Sequence, residues 1–204
     1  MLIHNIKKGI AYGEKLLLKS KVLERDKFNP LTFNKKDAFI LELDLADSNN
    51  TKLLEELREL WKDGEFTKFI TNPVGDSKRK LYAISSNADN VSAQDVYGLA
   101  DFKFEGDNAI LSFLQAAPQE LTQNRNIKSI GRSLLTDLFD YFKELGVSRI
   151  ETFSRPQEKS FYKTVFTNLQ EKASTQHSYT NIVINLRDDV KPPATETQSF
   201  DFYF

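Results

Sequence analysis

A polar loop ahead of an apolar-faced helix holds the residues whose types and spacing suit anion binding. Gly131 stands at the helix start, and Arg125, Lys128 and Arg132 lie around it. The first N–H groups of a helix lack intrahelical acceptors and lie at the positive end of its dipole, so they bind phosphate well. A glycine lets a phosphate approach the backbone, and basic side chains add charge-assisted contacts. Taken alone, this loop fits a phosphate site or an ordinary turn, because short glycine motifs are frequent by chance.

The elements on either side of the loop must position it. Before it, residues 109–117 are predicted to form a strand that ends at Pro118, joined by a turn at 105–108 to a strand at 96–104. After it, apolar residues at helical spacing predict an amphipathic helix that ends at Gly146. That stripe consists of Leu134, Leu135, Leu138, Phe139, Phe142 and Leu145.

The remaining pattern predicts a mixed α/β chain (α+β mixed). Further strands are expected at 38–46, 80–85, 147–153 and 180–186, and further helices at 53–61 and from Pro156 onward. Strands and helices in this order indicate a mixed sheet with helices on its faces.

Three segments are predicted along the chain. Residues 1–36 are an N-terminal extension, 37–187 the main domain and 188–204 a C-terminal tail. The tail ends in four aromatic residues within 200–204, which favours docking on a partner, on the chain itself or on a second copy. The extension carries an apolar stripe compatible with one helix, formed by Ile10, Leu16, Leu17, Leu18, Val22 and Leu23.

Composition excludes several classes of function. The chain has no cysteine, and His4 and His177 lie far apart, so no metal site is expected. Lysine plus arginine (28) and aspartate plus glutamate (29) nearly cancel, giving a net charge of -1, whereas duplex-binding domains show a basic excess. No run approaches the roughly twenty apolar residues of a membrane helix, and the N-terminus is too polar for a secretory signal. We expect a cytoplasmic protein that binds neither membrane nor nucleic acid.

The loop and its surroundings together resemble the GNAT superfamily of acetyltransferases, whose pyrophosphate loop reads Gln/Arg-x-x-Gly-x-Gly/Ala. Gly131 matches the second small position, whereas Ser129 replaces the first glycine and Asn126 the Gln or Arg. Residues 160–166 are similar to the family's Phe-Tyr-x-x-x-Gly-Phe ending, except that the final glycine is missing, with Val165 directly before Phe166, which leaves the alignment of Phe161 and Tyr162 open by one residue. The resemblance covers roughly residues 80–187. It implies a GNAT-like mixed, mostly antiparallel central sheet flanked by helices.

The resemblance implies an acyl-CoA-dependent N-acyltransferase that transfers acetyl from acetyl-CoA to a primary amine by direct attack in a ternary complex. The strand before the loop would splay from its parallel neighbour and pair its main chain with the pantetheine arm. Tyr162 would protonate the departing thiolate, although a tyrosine that anchors the core fits equally well. The implied cofactor-binding residues are Leu114, Gln115, Ala116, Asn126, Ile127, Lys128, Ser129, Ile130, Gly131, Arg132 and Ser133.

Other interpretations stay open on the sequence. No general base is assigned among Asp101, Glu105, Glu120, Glu151 and water. The imperfect loop and the absent base also fit a GNAT-like module that has lost catalysis and serves in binding or regulation. A nucleic-acid-associated protein that uses the basic residues of the loop is the weaker alternative. The acceptor, a small molecule or a protein, cannot be read, and a homodimer is one of the open oligomeric states.

Overall fold

The computed structural model describes residues 14–62, 78–118, 121, 126–166, 169–173 and 179–186. The helices are α1 (Ser48–Trp61), α2 (Ile130–Glu144) and α3 (Lys159–Val165). The strands are β1 (Glu14–Arg25), β2 (Phe33–Leu43), β3 (Arg79–Ser85), β4 (Val96–Glu105), β5 (Asn108–Ala116), β6 (Ile127–Lys128), β7 (Arg149–Ser154), β8 (Leu169–Ala173) and β9 (Thr180–Asn185).

The described strands form one sheet in the order β6-β1-β2-β3-β4-β5-β7-β9-β8. The pairing of β5 with β7 is parallel, and the other pairs in the described part are antiparallel. The parallel pair needs a crossover, and α2 supplies it between the two strands. The prediction of a mixed, mostly antiparallel sheet flanked by helices is therefore confirmed.

The helices divide between the two faces of the sheet. The apolar stripe of α2 packs on one face, where Tyr82, Phe102 and Phe142 meet edge to face with ring centroids 4.9–5.9 Å apart. The apolar stripe of α1 packs on the opposite face, against β2, β3 and β4. Side chains of a strand alternate between these two cores, so the sheet is covered on both faces in its middle.

The helix predicted for the N-terminal extension is wrong within the described residues, because residues 14–25 form β1. The reason is that burial along this segment alternates with a period of two residues. Ser20 and Val22 are buried, whereas Lys19 and Lys21 are exposed, which is the alternation of a strand with one covered face. Strand β1 pairs with β2 along its length, so residues 14–25 and 33–36 are part of the sheet.

Strands β6 and β8 are further elements that the sequence pattern did not predict. Residues 156–158 form a turn, so α3 begins at Lys159 and not at Pro156. The tail 188–204 and most of the loop before residue 126 lie outside the described residues. None of the three described helices is long and apolar enough to cross a membrane.

Candidate functional site

The parallel strands β5 and β7 separate in the middle of the sheet. Their pairing runs from Asn108 opposite Arg149 to Leu111 opposite Thr152. Beyond that point β5 continues to Ala116 beside β4, and β7 continues to Ser154 beside β9. The two strands therefore form a fork whose apex is the Leu111–Thr152 pair.

A β-bulge at Ser112 accounts for the fork. Leu111 lies opposite Phe102 and Phe113 lies opposite Asp101, so Ser112 is an extra residue in β5. A bulge bends the strand that carries it and increases its twist. The bend comes directly after the last pair with β7, and it turns β5 away from that neighbour.

The apex of the fork is tied by two hydroxyl groups. Thr152 donates a hydrogen bond from Oγ1 to the carbonyl oxygen of Leu111 at 3.1 Å, within the buried interior. The Tyr162 side chain is hydrogen-bonded to Thr152. Tyr162 is only 6% exposed, and burial raises its pKa to about 12. The hydrogen bond to Thr152 acts to lower the pKa of Tyr162. The phenol is thus fully protonated at neutral pH.

The N-terminus of α2 lies beside β5. Its N-cap residue, Ser129, has φ 61° and ψ 23°, a left-handed conformation that glycine adopts most readily, and its side chain makes no capping hydrogen bond. Asn126 is also left-handed, with φ 52°. The first hydrogen bond of the helix runs from Ser133 N to Ser129 O at 2.9 Å. The backbone N–H groups ahead of Ser133 consequently have no intrahelical acceptor.

Gly131 is closely packed. A Cβ at this position would lie 3.3 Å from Phe161 Cζ and 3.9 Å from Leu114 Cδ2. The glycine was predicted from its fit to a phosphate, and the structure shows that a larger residue here would also displace the Phe161 ring of α3 slightly. Phe161 is a neighbour of the site that the sequence did not reveal.

The basic residues of the loop have protein partners. Lys128 Nζ lies 4.5 Å from the ring centroid of Phe33, and Arg132 donates from Nη2 to the carbonyl oxygen of Thr164 at 3.0 Å. That second contact joins the first turn of α2 to the end of α3. Arg125 lies outside the described residues.

The carboxylates considered as bases are paired in the described part of the chain. Asp101 is 1% exposed, and its two carboxylate oxygens share the N–H of Arg79 Nε, at 2.8 and 2.9 Å. Burial raises the pKa of Asp101, and the bonds from Arg79 oppose that rise. The other two form surface or half-buried pairs, Glu105 with Lys103 at 3.1 Å and Glu151 with Arg149 at 2.7 Å. Glu120 lies outside the described residues.

The structure brings together three predicted parts of the site. Leu114 lies beside Gly131, since a Cβ on the glycine would be 3.9 Å from Leu114 Cδ2. Tyr162 lies at the apex of the fork, where it is hydrogen-bonded to Thr152. Leu114, Gln115 and Ala116 belong to the part of β5 that has left β7. Ile127 and Lys128 instead form β6 and pair with β1, and Ile130 is buried in the core. The described residues contain no group of three or more His, Asp or Glu able to hold a metal.

Comparisons with known proteins gave matches to the fold of this chain but none to its sequence. No family model and no curated protein matches this chain. Solved structures do match. Tetrahymena Gcn5 gives a TM-score of 0.53 at 15% identity, covering 73% of this chain and 96% of Gcn5.

Two more solved structures match with similar scores. A GNAT-family acetyltransferase from Staphylococcus aureus Mu50 gives 0.51 at 14% identity, with 74% and 99% covered. A spermidine N-acetyltransferase chimera of the Vibrio cholerae and human enzymes gives 0.50 at 13%, with 73% and 95% covered. The fork between β5 and β7, the helix start beside it and these neighbours agree: the chain has the fold of the GNAT superfamily N-acetyltransferases.

Proposed function

We propose that this chain is an acyl-CoA-dependent N-acyltransferase that transfers acetyl from acetyl-CoA to a primary amine by direct attack in a ternary complex. The fork is the observation that carries the proposal. An opening between parallel strands, beside the uncapped start of a helix, suits a ligand with an extended amide-bearing arm and a phosphate group. Because the matching solved structures have low sequence identity to this chain, they support the fold alone. The proposed activity therefore rests on the geometry of the fork.

The residues present fit the acyl donor. The main chain of Leu114, Gln115 and Ala116 borders the fork and would pair with the amides of the pantetheine arm. The first turn of α2 and the loop 126–133 would hold the pyrophosphate. The left-handed backbone of Ser129 supports this role, because glycine is the residue that GNAT loops use at this position and glycine favours that conformation.

Tyr162 is the residue proposed to act on the leaving sulfur. In the reaction the amine nitrogen bonds to the acetyl carbon, the carbon–sulfur bond breaks, the nitrogen loses a proton and the sulfur gains one. Acetyl-CoA supplies the activated acetyl group. A phenol with a pKa of about 12 holds its proton more tightly than a thiol with a pKa near 8.5, so Tyr162 stabilises the developing thiolate mainly by hydrogen bonding.

One observation favours a binding or regulatory module instead. The Tyr162 hydroxyl already has a partner at Thr152, and the described carboxylates near the fork are paired with arginines. A domain that only binds acyl-CoA needs no free acid or base. The two functions differ in turnover and share cofactor binding.

Thermal-shift titration with acetyl-CoA and with CoA tests the cofactor site. At a ligand concentration about 100 times Kd, binding adds about 2.7 kcal/mol, which raises Tm by roughly 5–10 °C in a chain of this size. Gly131→Glu should abolish the shift, because it adds a negative charge and bulk against Phe161. Thr136→Glu, at an exposed position of the same helix, is the matched control and should keep it. An unmoved melting curve at millimolar acetyl-CoA contradicts the proposal.

Release of free thiol from acetyl-CoA with a panel of primary amines tests turnover. The wild-type chain should release thiol with at least one amine, and Tyr162→Phe should lower kcat by about 10- to 100-fold while leaving the thermal shift unchanged. Retained acetyl-CoA binding with no amine-dependent thiol release from the wild-type chain identifies the regulatory module.

A further inference from the structure

The end of the sheet formed by β6, β1 and β2 has a row of cations on one face. Ser20 and Val22 point to the α2 side, where Ser20 donates a hydrogen bond to Asp137 and Val22 joins the core. Their neighbours along β1 therefore point to the other face. Residues opposite one another in an antiparallel pair share a face, which adds cations of β2 and β6. This basic face consists of Lys19, Lys21, Arg25, Lys35 and Lys128.

The basic face is a strong local excess of positive charge. The strand register places one acid, Asp37, on the basic face. Asp37 forms an ion pair with Lys21 at 3.4 Å, and both side chains are mostly exposed. The whole chain has a net charge of -1. Five cations against one acid on a single surface of such a chain call for an anionic partner.

The row of cations is linear and open. From Lys19 to Arg25 the strand advances about 20 Å at roughly 3.4 Å per residue, with cations near one another on one face. Helix α1 packs farther along β2, at Leu41 and Leu43. Lys19, Lys21 and Lys35 are exposed, and Arg25 and Lys128 are half-buried. A straight surface of this length matches an extended chain of about six residues.

An apolar tip completes the surface. The turn between β1 and β2 exposes Phe28 at 97% and Leu31 at 89%. Asp26 fixes this turn, because its carboxylate accepts the backbone N–H groups of Phe28 at 2.7 Å and Asn29 at 3.0 Å. Two apolar side chains held out in water on an ordered turn offer an anchor for a partner's apolar residues.

The contacts favour a polypeptide over the other polyanions. Lys128 and Arg25 lie over the ring of Phe33, at 4.5 and 5.6 Å from its centroid, so this ring is already engaged by cations where single-stranded nucleic acid needs a stacking surface. A bilayer touched by the tip would lie roughly 15–25 Å from Lys21 and Lys19, beyond the screening length of about 8 Å. We propose that the basic face and the apolar tip dock an extended acidic segment of a partner protein that ends in apolar residues.

Fluorescence anisotropy with the full-length chain tests this surface. The probe is a labelled peptide of about six glutamates alternating with serines, followed by two leucines, and a second probe replaces the leucines with serines. We expect saturable binding of the first probe at low salt that weakens as salt is raised. The double variant Lys21→Glu/Lys35→Glu should weaken it at least about tenfold. Lys52→Glu, a reversal at an exposed position of α1, should leave binding unchanged.

The tip is tested with Phe28→Ser/Leu31→Ser. This variant should weaken the leucine-bearing probe about fivefold and leave the all-serine probe unchanged, because only the first contacts the apolar tip. Three results would overturn the proposal. One is no peptide binding at about 50 mM salt; the second is an equal loss in Lys52→Glu. The third is a clear preference of the chain for a uridine oligonucleotide or for phosphatidylserine vesicles over the peptide.

Discussion

Helices α1 and α2 begin in opposite ways. At α1, the N-cap Asp47 has an extended backbone (φ -82°, ψ 129°), and its side chain accepts the N–H of Asn49 at 2.7 Å. At α2, the N-cap Ser129 is left-handed and its hydroxyl caps nothing. The first helix start is satisfied by its own side chain. The second is held by its neighbours and leaves main-chain donors beside the fork, which is the difference between a structural helix start and one suited to a ligand.

The largest effect is expected where a neighbour holds the start of α2. A Cβ on Gly98 would lie 2.8 Å from Ile130 Cγ2 and 3.1 Å from Gln115 O, so Gly98→Ala must displace the first residue of the helix or the strand β5. We expect a loss of about 1–3 kcal/mol in the free energy of unfolding, measured by urea denaturation. The acetyl-CoA thermal shift should fall as well. A variant with unchanged stability would show that the start of α2 is loosely held.

The next largest effect is expected from removing the N-cap hydrogen bond of α1. Asp47→Ala should lower the free energy of unfolding by about 1 kcal/mol, because the N–H of Asn49 loses its acceptor. Ser129→Ala is the matched change at α2 and should alter stability by less than about 0.5 kcal/mol. Equal losses in the two variants would remove the distinction between the helix starts.

A smaller effect of opposite sign is expected from Ser129→Gly. Glycine adopts φ near 61° without the steric penalty of a Cβ, and no capping bond is lost. The gain in the free energy of unfolding should be a few tenths of a kcal/mol, because the greater entropy of unfolded glycine offsets part of the relief. Chemical denaturation of both chains measures it, and a loss above about 0.5 kcal/mol would contradict the uncapped description.

The smallest effect concerns the pH dependence of stability that arises from the hydrogen bond between Ser20 of β1 and Asp137 of α2. Burial raises the pKa of Asp137, the hydrogen bond from Ser20 opposes this, and Asp140 adds to it. The native state therefore holds this proton more tightly than the unfolded chain does. Stability from this group is present below the unfolded pKa near 3.8 and falls as pH rises through the native pKa. Asp137→Asn should flatten that decline in urea denaturation between pH 3.5 and about 6, and an unaltered profile would contradict it.

The sequence predicted the elements whose pattern is local and strong. The stripe Leu134, Leu135, Leu138, Phe139 and Phe142 has helical spacing and forms α2 as expected. In β1, Leu16, Leu17 and Leu18 are consecutive, so the run fits a helix, and the alternation that identifies the strand is confined to residues 19–22. A short apolar run does not separate the two structures by its period.

The sequence likewise indicated some residues of the candidate site and missed others. Gly131 was predicted from its place at a helix start and its match to the GNAT loop, and Tyr162 through the family resemblance. Thr152 and Phe161 were missed because their roles come from contacts with β5 and α2, far away in the sequence. The left-handed backbone of Ser129 was hidden for another reason, since serine is an ordinary N-cap residue that normally needs no such conformation.

The extra residue at Ser112 also sets how this strand tolerates change. Before the bulge, Ala109 and Leu111 face the α2 core; after it, Leu114 and Ala116 do, so odd positions give way to even ones. Ser112 is exposed, and its side chain is hydrogen-bonded to the buried carboxylate of Asp101. Deletion of this single residue is different, because it would turn every later side chain of β5 to the opposite face and extend the pairing with β7. We therefore expect the chain to tolerate a substitution at 112, with the loss of one hydrogen bond to Asp101, better than the loss of the residue itself.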